Sequence, residues 1–316
     1  MPCGIASSPE RGSFWYGTFL MRENAASRCG PSGESVSVAV RRPRQTRNKK
    51  RFSAEYGHSE AEAILNQNYE LFTYPCLRRT NYCGFQVQPN GRSVAATFQD
   101  ALEAVLGSRP DIKGCSRTDA GVHALGFRLN FHADTRIPPQ KLPLALNQHL
   151  PPDIRVLAVQ TVPEDFHARY AAHTKTYLYR IHNHPIDSPF DAAYYTRVPR
   201  RLDESAMQAA AQQFVAPHDF LALCAAGSSA AAHGDTVRTI TDCHVTRRGD
   251  EVDIEVTADG YLYNMVRILA GTLCEAGAGR LDPAEIPAIL ESRDRSRAGP
   301  TLPAKGLFLK CVEYDL

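Results

Sequence analysis

Between the two most regularly patterned parts of the chain lies Gly114-Cys115-Ser116-Arg117-Thr118-Asp119-Ala120-Gly121-Val122-His123-Ala124. Upstream, Ser93 precedes apolar residues at helical spacing, which predicts a helix over residues 94–106 that ends at Gly107. Downstream, residues 127–131 alternate apolar and polar side chains, the pattern of a half-buried strand. The segment is therefore predicted to be a loop held between a helix and a strand.

Asp119 stands in this loop with Arg117 two residues before it and Gly121 two residues after it. A carboxylate held between two regular elements suits a functional site. The nearby guanidinium favours the ionised carboxylate, and the glycine lets a ligand approach the backbone. The alternative is that Asp119 only hydrogen-bonds its own turn, as Asp in such loops usually does. Taken alone, the residue pattern favours this alternative.

Composition indicates a soluble globular protein of one large or two ordinary domains. The 316 residues are 43% hydrophobic and 22% charged, and no apolar run is long enough to span a membrane. The N-terminus lacks the residue order of a signal peptide. Nine cysteines, an odd number without a Cys-x-x-Cys pair, argue against a disulfide framework or a zinc site. We therefore expect a cytoplasmic protein that does not bind membranes.

Charge is distributed unevenly along the chain. The net charge is +2, but residues 1–68 hold ten Lys/Arg and six Asp/Glu, so the remaining residues are slightly acidic overall. Nucleic-acid-binding proteins usually carry a basic footprint. Any such surface on the body of this protein must be a local patch, and composition alone does not indicate RNA binding.

The N-terminal segment differs from the rest of the chain. Residues 1–68 are rich in Ser, Gly and Arg, show little periodicity and contain a basic run at 41–51. They predict a disordered tail, or alternatively a basic arm that binds RNA. From Thr80 onward, strands and helices follow one another in two runs, which predicts two α+β domains that meet near residues 160–165.

Individual elements in the second run are also predicted. Alternating residues on both sides of Arg248-Gly249-Asp250 predict a hairpin whose second strand has one exposed acidic face. Residues 265–276 predict a helix, and Asp282-Pro283 predicts the start of another. Residues 225–233 are small and featureless, which predicts a mobile loop.

The segment Arg117 to Ala124 resembles the active-site motif of the tRNA pseudouridine synthase A family. The resemblance extends over roughly residues 80–314, although the chain has Gly84-Phe85-Gln86 where the family normally has Gly-Trp-Gln. Further blocks follow in the family's order: Asp165-Phe166-His167-Ala168-Arg169, His218-Asp219-Phe220, Val237-Arg238-Thr239-Ile240, Asp259 to Arg267, and Gly299 to Leu307.

This resemblance implies an α+β pseudouridine synthase fold of two mixed α/β-sandwich halves. Their antiparallel sheets run together, with an RNA cleft between residues 80–162, which carry the motif loop, and residues 163–316. The implied function is the isomerisation of uridine to pseudouridine at positions 38 to 40 in the anticodon stem-loop of tRNA. The enzyme is implied to be a homodimer that needs no cofactor or metal and does not act on DNA.

Two alternatives to this function were considered. The chain could be a catalytically inactive tRNA-binding protein, but a protein that only binds RNA has no need of the intact motif residues. A glycosidase would require a second carboxylic acid at paired spacing, and no candidate adjoins Asp119.

The resemblance assigns roles to four residues. Asp119 corresponds to the catalytic aspartate, and Arg267 to an arginine that lies against it and favours its ionised form. Arg117 corresponds to the arginine that holds the target nucleotide out of its stack. Tyr177 corresponds to the tyrosine that contacts the substrate, where its ring can stack on uracil. The plain alternatives are a structural ion pair for Arg117, a surface position for Arg267 and a core position for Tyr177.

Other polar residues receive structural interpretations. His123 is expected to support the motif loop, and Cys115 to pack beside it as an unactivated thiol. His182 and His184 lack a third ligand for a metal. Three further tyrosines lie in or near the matching blocks and are expected mainly to occupy the core: Tyr179, Tyr261 and Tyr263.

The residues before Thr80 depart from the family's pattern. The family has a buried apolar strand ending in Tyr-Asp-Gly, whereas this chain has Tyr74-Pro75-Cys76-Leu77-Arg78-Arg79, and adjacent arginines are poor occupants of a buried strand. If Leu77, Arg78 and Arg79 are encoded by TTA-CGA-CGG before an A, reading one base later gives Tyr-Asp-Gly, so a frameshift near Thr80 would explain the departure. Residues 1–79 are therefore predicted to be a disordered or out-of-frame extension, which would make the N-terminal half less stable.

Overall fold

The computed structural model describes residues 68–78, 81–89 and 91–315. Within them, eleven strands form one sheet. The strands are β1 (Asn68–Leu77), β2 (Ile112–Gly114), β3 (His123–Ala124), β4 (Leu129–Asp134), β5 (Ile154–Val162), β6 (Thr174–His182), β7 (Thr196–Arg197), β8 (Pro217–Asp219), β9 (Val237–Arg248), β10 (Glu251–Ala258) and β11 (Leu307–Glu313). The α-helices are α1 (Val94–Leu106), α2 (Leu142–His149), α3 (Glu204–Gln212), α4 (Ser229–Ala232), α5 (Met265–Gly277) and α6 (Ile286–Ser292).

The sheet has two halves that meet at a short parallel pairing. Its order is β2-β4-β1-β3-β11-β6-β10-β9-β8, with β5 paired to β1 and β7 paired to β6. β3 and β11 join the halves, with Phe308 opposite His123 and Leu309 opposite Ala124. The predicted α+β fold, in which two largely antiparallel sheets run together, is confirmed. The domain limits 80–162 and 163–316 stay a prediction.

The elements around the motif loop form as predicted. The Ser93 hydroxyl accepts a hydrogen bond from Ala96 N at 3.1 Å and caps α1, and Gly107 ends the helix with φ 73°. Phe98 of α1 packs against Phe131 of β4, with ring centroids 6.5 Å apart. This contact holds the helix against the sheet on which the motif loop is built.

The hairpin of β9 and β10 is confirmed, with Gly249 in the left-handed conformation at its turn. The helix predicted at residues 265–276 is α5. The expected acidic face of β10 is only partly exposed, because Asp253 is buried and forms ion pairs with Arg180 and Arg248. Burial raises the pKa of the Asp253 carboxyl, and the two arginines oppose this shift.

β1 lies inside the segment 1–79 that was predicted to be disordered or out of frame. For residues 68–78 disorder is wrong, because Leu71, Phe72 and Leu77 are buried and β1 pairs with β4 on one side and β5 on the other. Arg78 follows the strand and is exposed, so its charge does not enter the core. Residues 1–67, with the basic run at 41–51, lie outside the described residues, and the frameshift stays a hypothesis.

Residues 225–233 were predicted to form a loop, but part of this segment is helical. They contain α4, which begins where the Ser228 hydroxyl accepts a hydrogen bond from Ala231 N at 3.3 Å. In the part of the chain that the structure describes, no helix is both long enough and apolar enough to cross a membrane.

Candidate active site

Asp119 opens a tight turn in the motif loop. Val122 N donates to Asp119 O at 3.3 Å, and Gly121, the third residue of the turn, has φ 78°. This conformation favours glycine, so the turn itself requires Gly121, a role different from the ligand approach suggested by the sequence. The Asp119 side chain is 33% exposed and therefore remains accessible to a ligand.

Arg267 approaches Asp119 from the other half of the sheet. It lies in the first turn of α5, after Asn264, which adopts the left-handed conformation with φ 60°. Its Nη1 donates to Asn264 Oδ1 and its Nε to Leu302 O, both at 2.7 Å. These two bonds fix the guanidinium with Nη1 3.8 Å from Asp119 Oδ2. The predicted proximity of the two residues is present, and Arg267 is not a free surface arginine.

Tyr177 of β6 brings a hydroxyl to the motif loop. The side chain is largely buried, and its Oη lies 3.2 Å from Ser116 Oγ. The ring meets Tyr261 edge to face, with centroids 4.9 Å apart. Tyr261 is held in turn, because its hydroxyl oxygen lies 2.7 Å from both Lys175 O and Val256 O, either of which can accept its one proton. Burial raises the pKa of Tyr261, which keeps that hydroxyl protonated as a donor.

All four predicted site residues line one cavity of about 600 Å³ between the two halves. This volume lies within the range of small-molecule sites. Arg117 is exposed at the edge of the cavity, and its guanidinium makes no hydrogen bond or ion pair with another described residue. Arg117 is therefore available to a ligand, and the structural ion pair considered from the sequence is not formed within the described residues.

Three cavity residues were missed by the sequence analysis as site residues. Arg169 and Arg238 line the cavity, and Tyr263, expected in the core, is 46% exposed there. Arg238 donates to both carboxylate oxygens of Asp235, at 2.8 and 3.2 Å, and this lowers the pKa of Asp235. All three missed residues lie within the blocks that match the family. Membership of those blocks is the feature of the sequence by which they could have been identified.

The cavity is richer in arginine than in acid. Arg117, Arg169, Arg238 and Arg267 line it, together with the carboxylates of Asp119 and Asp235. Asp235 is paired with Arg238, so three arginines remain beside the single carboxylate of Asp119, and the net charge of the cavity lining is positive. It is thus a local basic patch, the form that any nucleic-acid-binding surface on this body has to take, and it suits a polyanionic ligand.

The remaining polar residues near the loop are structural. His123 is buried at the junction of the halves, where it stacks on Phe308 with centroids 4.9 Å apart and its Nε2 lies 3.2 Å from Ala193 O. Cys115 is buried, and burial raises the pKa of its thiol to about 11. His182 and His184 both contact Ile186 O. No group of three or more potential metal ligands occurs among the residues that the structure describes.

Comparison with known proteins identifies the class to which this fold and site belong. A family model described as tRNA pseudouridine synthase matches residues 80–171 and 210–315. These ranges include the motif loop, the blocks at residues 165–169 and 237–240, and Arg267. The chain belongs to the tRNA pseudouridine synthase family.

Individual relatives are similar over nearly their whole length. A tRNA pseudouridine synthase A from Acetivibrio thermocellus is 46% identical over 235 residues, which is 74% of this chain and 95% of the relative. One from Caldicellulosiruptor saccharolyticus is 44% identical over the same shares. One from Moorella thermoacetica is 44% identical over 248 residues, covering 76% of this chain and 100% of the relative.

Proposed function

We propose that this protein converts uridine to pseudouridine at positions 38 to 40 in the anticodon stem-loop of tRNA. The observation that carries the proposal is the 3.8 Å approach of Arg267 Nη1 to Asp119 Oδ2 in a cavity that Tyr177 also lines. A carboxylate fixed beside a cation, within an arginine-lined cavity, suits covalent chemistry on an anionic polymer. Membership of the tRNA pseudouridine synthase family supports tRNA as that polymer.

The reaction is an isomerisation in which atoms and electrons balance within the nucleotide. The bond between uracil N1 and ribose C1′ breaks, the ring turns, and a bond between C5 and C1′ forms. N1 gains a proton, and the hydrogen on C5 leaves to water as a proton. No oxidant or reductant is consumed, so the proposal needs no cofactor. Asp119 is the nucleophile, and Arg267 holds its carboxylate ionised and in one orientation.

Arg117 and Tyr177 are proposed to position the target nucleotide. An enzyme that acts on a base must take that base out of its stack. The exposed guanidinium of Arg117 can occupy the vacated space or bind the adjoining phosphate. The Tyr177 ring can lie against the uracil, while its hydroxyl faces Ser116 of the motif loop.

The proposal also includes the cellular setting. We propose a cytoplasmic homodimer with tRNA as its partner and without action on DNA. These points are supported by the family resemblance and by the basic cavity. Sedimentation equilibrium of the purified protein measures the oligomeric state, and a monomer at all concentrations would contradict the dimer.

The decisive experiment maps pseudouridine in tRNA from a strain that lacks this gene, before and after complementation. We expect pseudouridine at positions 38, 39 and 40 to be absent in the deletion strain and restored by the gene. Purified protein should also release tritium from tRNA labelled at uridine C5, because that hydrogen leaves during the reaction.

Matched substrates make the test specific for the anticodon arm. A transcript labelled with tritium only at uridine 39 should release tritium, and a transcript with cytidine at positions 38 to 40 and labelled uridine elsewhere should not. If the protein binds both transcripts and releases tritium from neither, it is the inactive tRNA-binding protein considered above. Release from uridines outside the anticodon arm would contradict the proposed position.

A further inference from the structure

A second cavity adjoins the first at the motif loop. It encloses about 400 Å³ and is lined by Gln86 and Gln88 as well as by the motif loop. Arg117, Thr118 and Asp119 line both cavities, as do Tyr263 and Arg267. These residues form a wall that the two cavities share, which we call the partition, and two groups bound in the two cavities would be neighbours.

The segment that carries the two glutamines is held firmly against this partition. Phe85 N donates to Thr118 O at 3.4 Å, and the Phe85 ring packs on Phe127 with centroids 4.6 Å apart. Val94 N and Ala95 N, in the first turn of α1, donate to Gly84 O and Phe85 O at 3.2 and 2.9 Å. The carbonyl groups of the segment thus accept hydrogen bonds from N–H groups at the start of α1 that have no partner within the helix. These bonds fix the backbone of the segment in place.

The side chains of Gln86 and Gln88 remain available for a ligand. Both are exposed, and neither makes a hydrogen bond to the other residues that the structure describes. Gln88 Nε2 lies close to the motif loop. It is 3.7 Å from the position that a Cβ on Gly84 would occupy, and that position is 3.4 Å from Thr118 O. Each amide offers both donors and an acceptor, so each can pair with the edge of any nucleobase.

The other walls complete a site for one nucleotide. Tyr263 presents a partly exposed ring on which a base can stack. Arg117 presents an exposed guanidinium at the partition, where a phosphate joining two nucleotides would lie. Unstacked bases in RNA are recognised by this combination of aromatic stacking and hydrogen bonds to base edges.

We propose that the second cavity binds the nucleotide next to the target uridine. Its base stacks on Tyr263 and is hydrogen-bonded by Gln86 and Gln88, while the target occupies the adjoining cavity of about 600 Å³. This inference rests on the proposed function in taking tRNA as the ligand, and it adds a subsite for a second nucleotide. Because an amide can pair with any base, the subsite tolerates different neighbouring sequences.

The test is a double-mutant cycle between protein and RNA, with the dissociation constant as its readout. The protein variant carries Gln86→Ala and Gln88→Ala, and the RNA variants are anticodon stem-loops with an abasic nucleotide immediately 5′ or 3′ of the target. We expect the protein variant to raise Kd for the intact stem-loop about tenfold, the effect of losing two hydrogen bonds. One of the abasic RNAs should raise Kd for the wild type by more than this, because it loses the stack on Tyr263 as well as the hydrogen bonds.

Coupling between the two changes decides the proposal. For the glutamine double variant, the sensitive abasic RNA should raise Kd by a factor about tenfold smaller than for the wild type, because the hydrogen bonds are already lost and only the stack on Tyr263 remains to be lost. Gln140→Ala, an exposed glutamine outside both cavities, is the control and should leave Kd unchanged. Additive effects for both abasic RNAs, or no effect of the double variant, would overturn the subsite.

The cycle is independent of turnover, so it separates the subsite from the proposed reaction. If the wild type forms no pseudouridine but the coupling is present, the proposed function fails and the subsite stands. If pseudouridine forms normally and coupling is absent, only the subsite fails. If the wild type does not bind the stem-loop at all, both are wrong.

Discussion

β6 and β1 are the middle strands of the two halves of the sheet. Each pairs with one neighbour without a shift in register and with another across a shift, which for β6 lies opposite Leu309 and Cys311 of β11. They differ in the residues that they carry. β6 pairs with β10 over eight consecutive residues without a shift in register, and Tyr177, Tyr179 and Ile181 are buried along it. β1 contains Pro75, and its register with β5 shifts between Thr73 and Pro75. Proline has no N–H to give to a ladder, so such a position normally lies at a sheet edge or bulge.

β1 also carries a buried charge. Glu70 is 6% exposed, accepts a hydrogen bond from Asn130 and lies 3.5 Å from His132 Nδ1. Asn130 in turn donates to Phe166 O at 2.9 Å and accepts from Ala168 N at 2.8 Å. The half that carries the motif loop is thus built on a strand that contains a proline and a buried carboxyl group, whereas the half that supplies Arg267 and Tyr177 is built on a strand that contains neither. We infer that the first half limits stability and the second orients the reacting group.

The largest expected effect is that of Asp119→Asn in the first half. Loss of the carboxylate that we propose as the nucleophile should lower the single-turnover rate of tritium release by about 10³-fold or more, while Kd for tRNA stays near that of the wild type. Asp111→Asn, an exposed aspartate before β2, is the matched control. Measurable multiple turnover by Asp119→Asn would rule out a nucleophilic role.

The second largest effect is expected from Arg267→Met, which tests whether the second half orients the Asp119 carboxylate. Arg267→Met removes the guanidinium beside Asp119 and should lower the single-turnover rate about 10²-fold, as removal of one electrostatic partner in an active site commonly does. Arg280→Met, which removes an exposed arginine paired with Glu275, should leave the rate unchanged. A loss of tRNA affinity with a normal rate would assign Arg267 to binding instead.

The comparison of the two strands predicts a stabilising substitution in β1. Pro75→Val restores an N–H and a β-branched side chain, and should raise the free energy of unfolding by about 1 kcal/mol. The measurement is the midpoint of urea unfolding at unchanged slope. Pro217→Val is the control, because Pro217 opens β8 at the edge of the sheet, where proline is tolerated. If both substitutions change the free energy of unfolding equally, Pro75 does not specifically destabilise β1, and the inference about the first half is wrong.

The frameshift hypothesis offers an origin for the irregular strand. Reading residues 69–77 one base later permits Met-Asn-Phe-Leu-Leu-Thr-Leu-Ala before Tyr-Asp-Gly, which removes both Glu70 and Pro75. We expect resequencing of the codons for residues 69–80 to reveal a missing or additional base near Thr80. If those codons cannot encode Met and then Tyr-Asp-Gly in the shifted frame, the hypothesis is wrong.

The smallest expected effect is that of Tyr177→Phe. The ring and its contact with Tyr261 are kept, and only the hydroxyl near Ser116 is lost. We expect the single-turnover rate to fall by about tenfold or less, in line with one hydrogen bond. Ser116→Ala removes the other partner. If the two variants have equal effects, the hydroxyl orients the loop. A larger effect of Tyr177→Phe would indicate direct participation, and a fully active variant would restrict Tyr177 to stacking.

Local patterns predicted the local elements well. Ser93, Gly107 and the apolar spacing between them predicted α1, and the alternation around Gly249 predicted the hairpin of β9 and β10, because caps, turns and periodicity act over short distances. The burial of Asp253 could not be predicted in this way. One of its partners, Arg180, comes from a strand far away in sequence.

The site was predictable only where a motif marked it. Asp119 alone favoured an ordinary turn residue, and the resemblance identified it, together with Arg267, as a site residue. The exposure of Tyr263 depends on how α5 and the motif loop meet, which no single segment of sequence specifies. The same holds for the second cavity, whose walls come from three separate segments.

The parallel pairing of β3 with β11 has a consequence for synthesis of the protein. Asp119 is translated early, but the strand that joins its half to the other begins only at Leu307. A nascent chain on the ribosome therefore cannot close the cavity until that strand has emerged. Such chains have the motif aspartate but lack the assembled site, so they should leave the tRNAs around them unmodified.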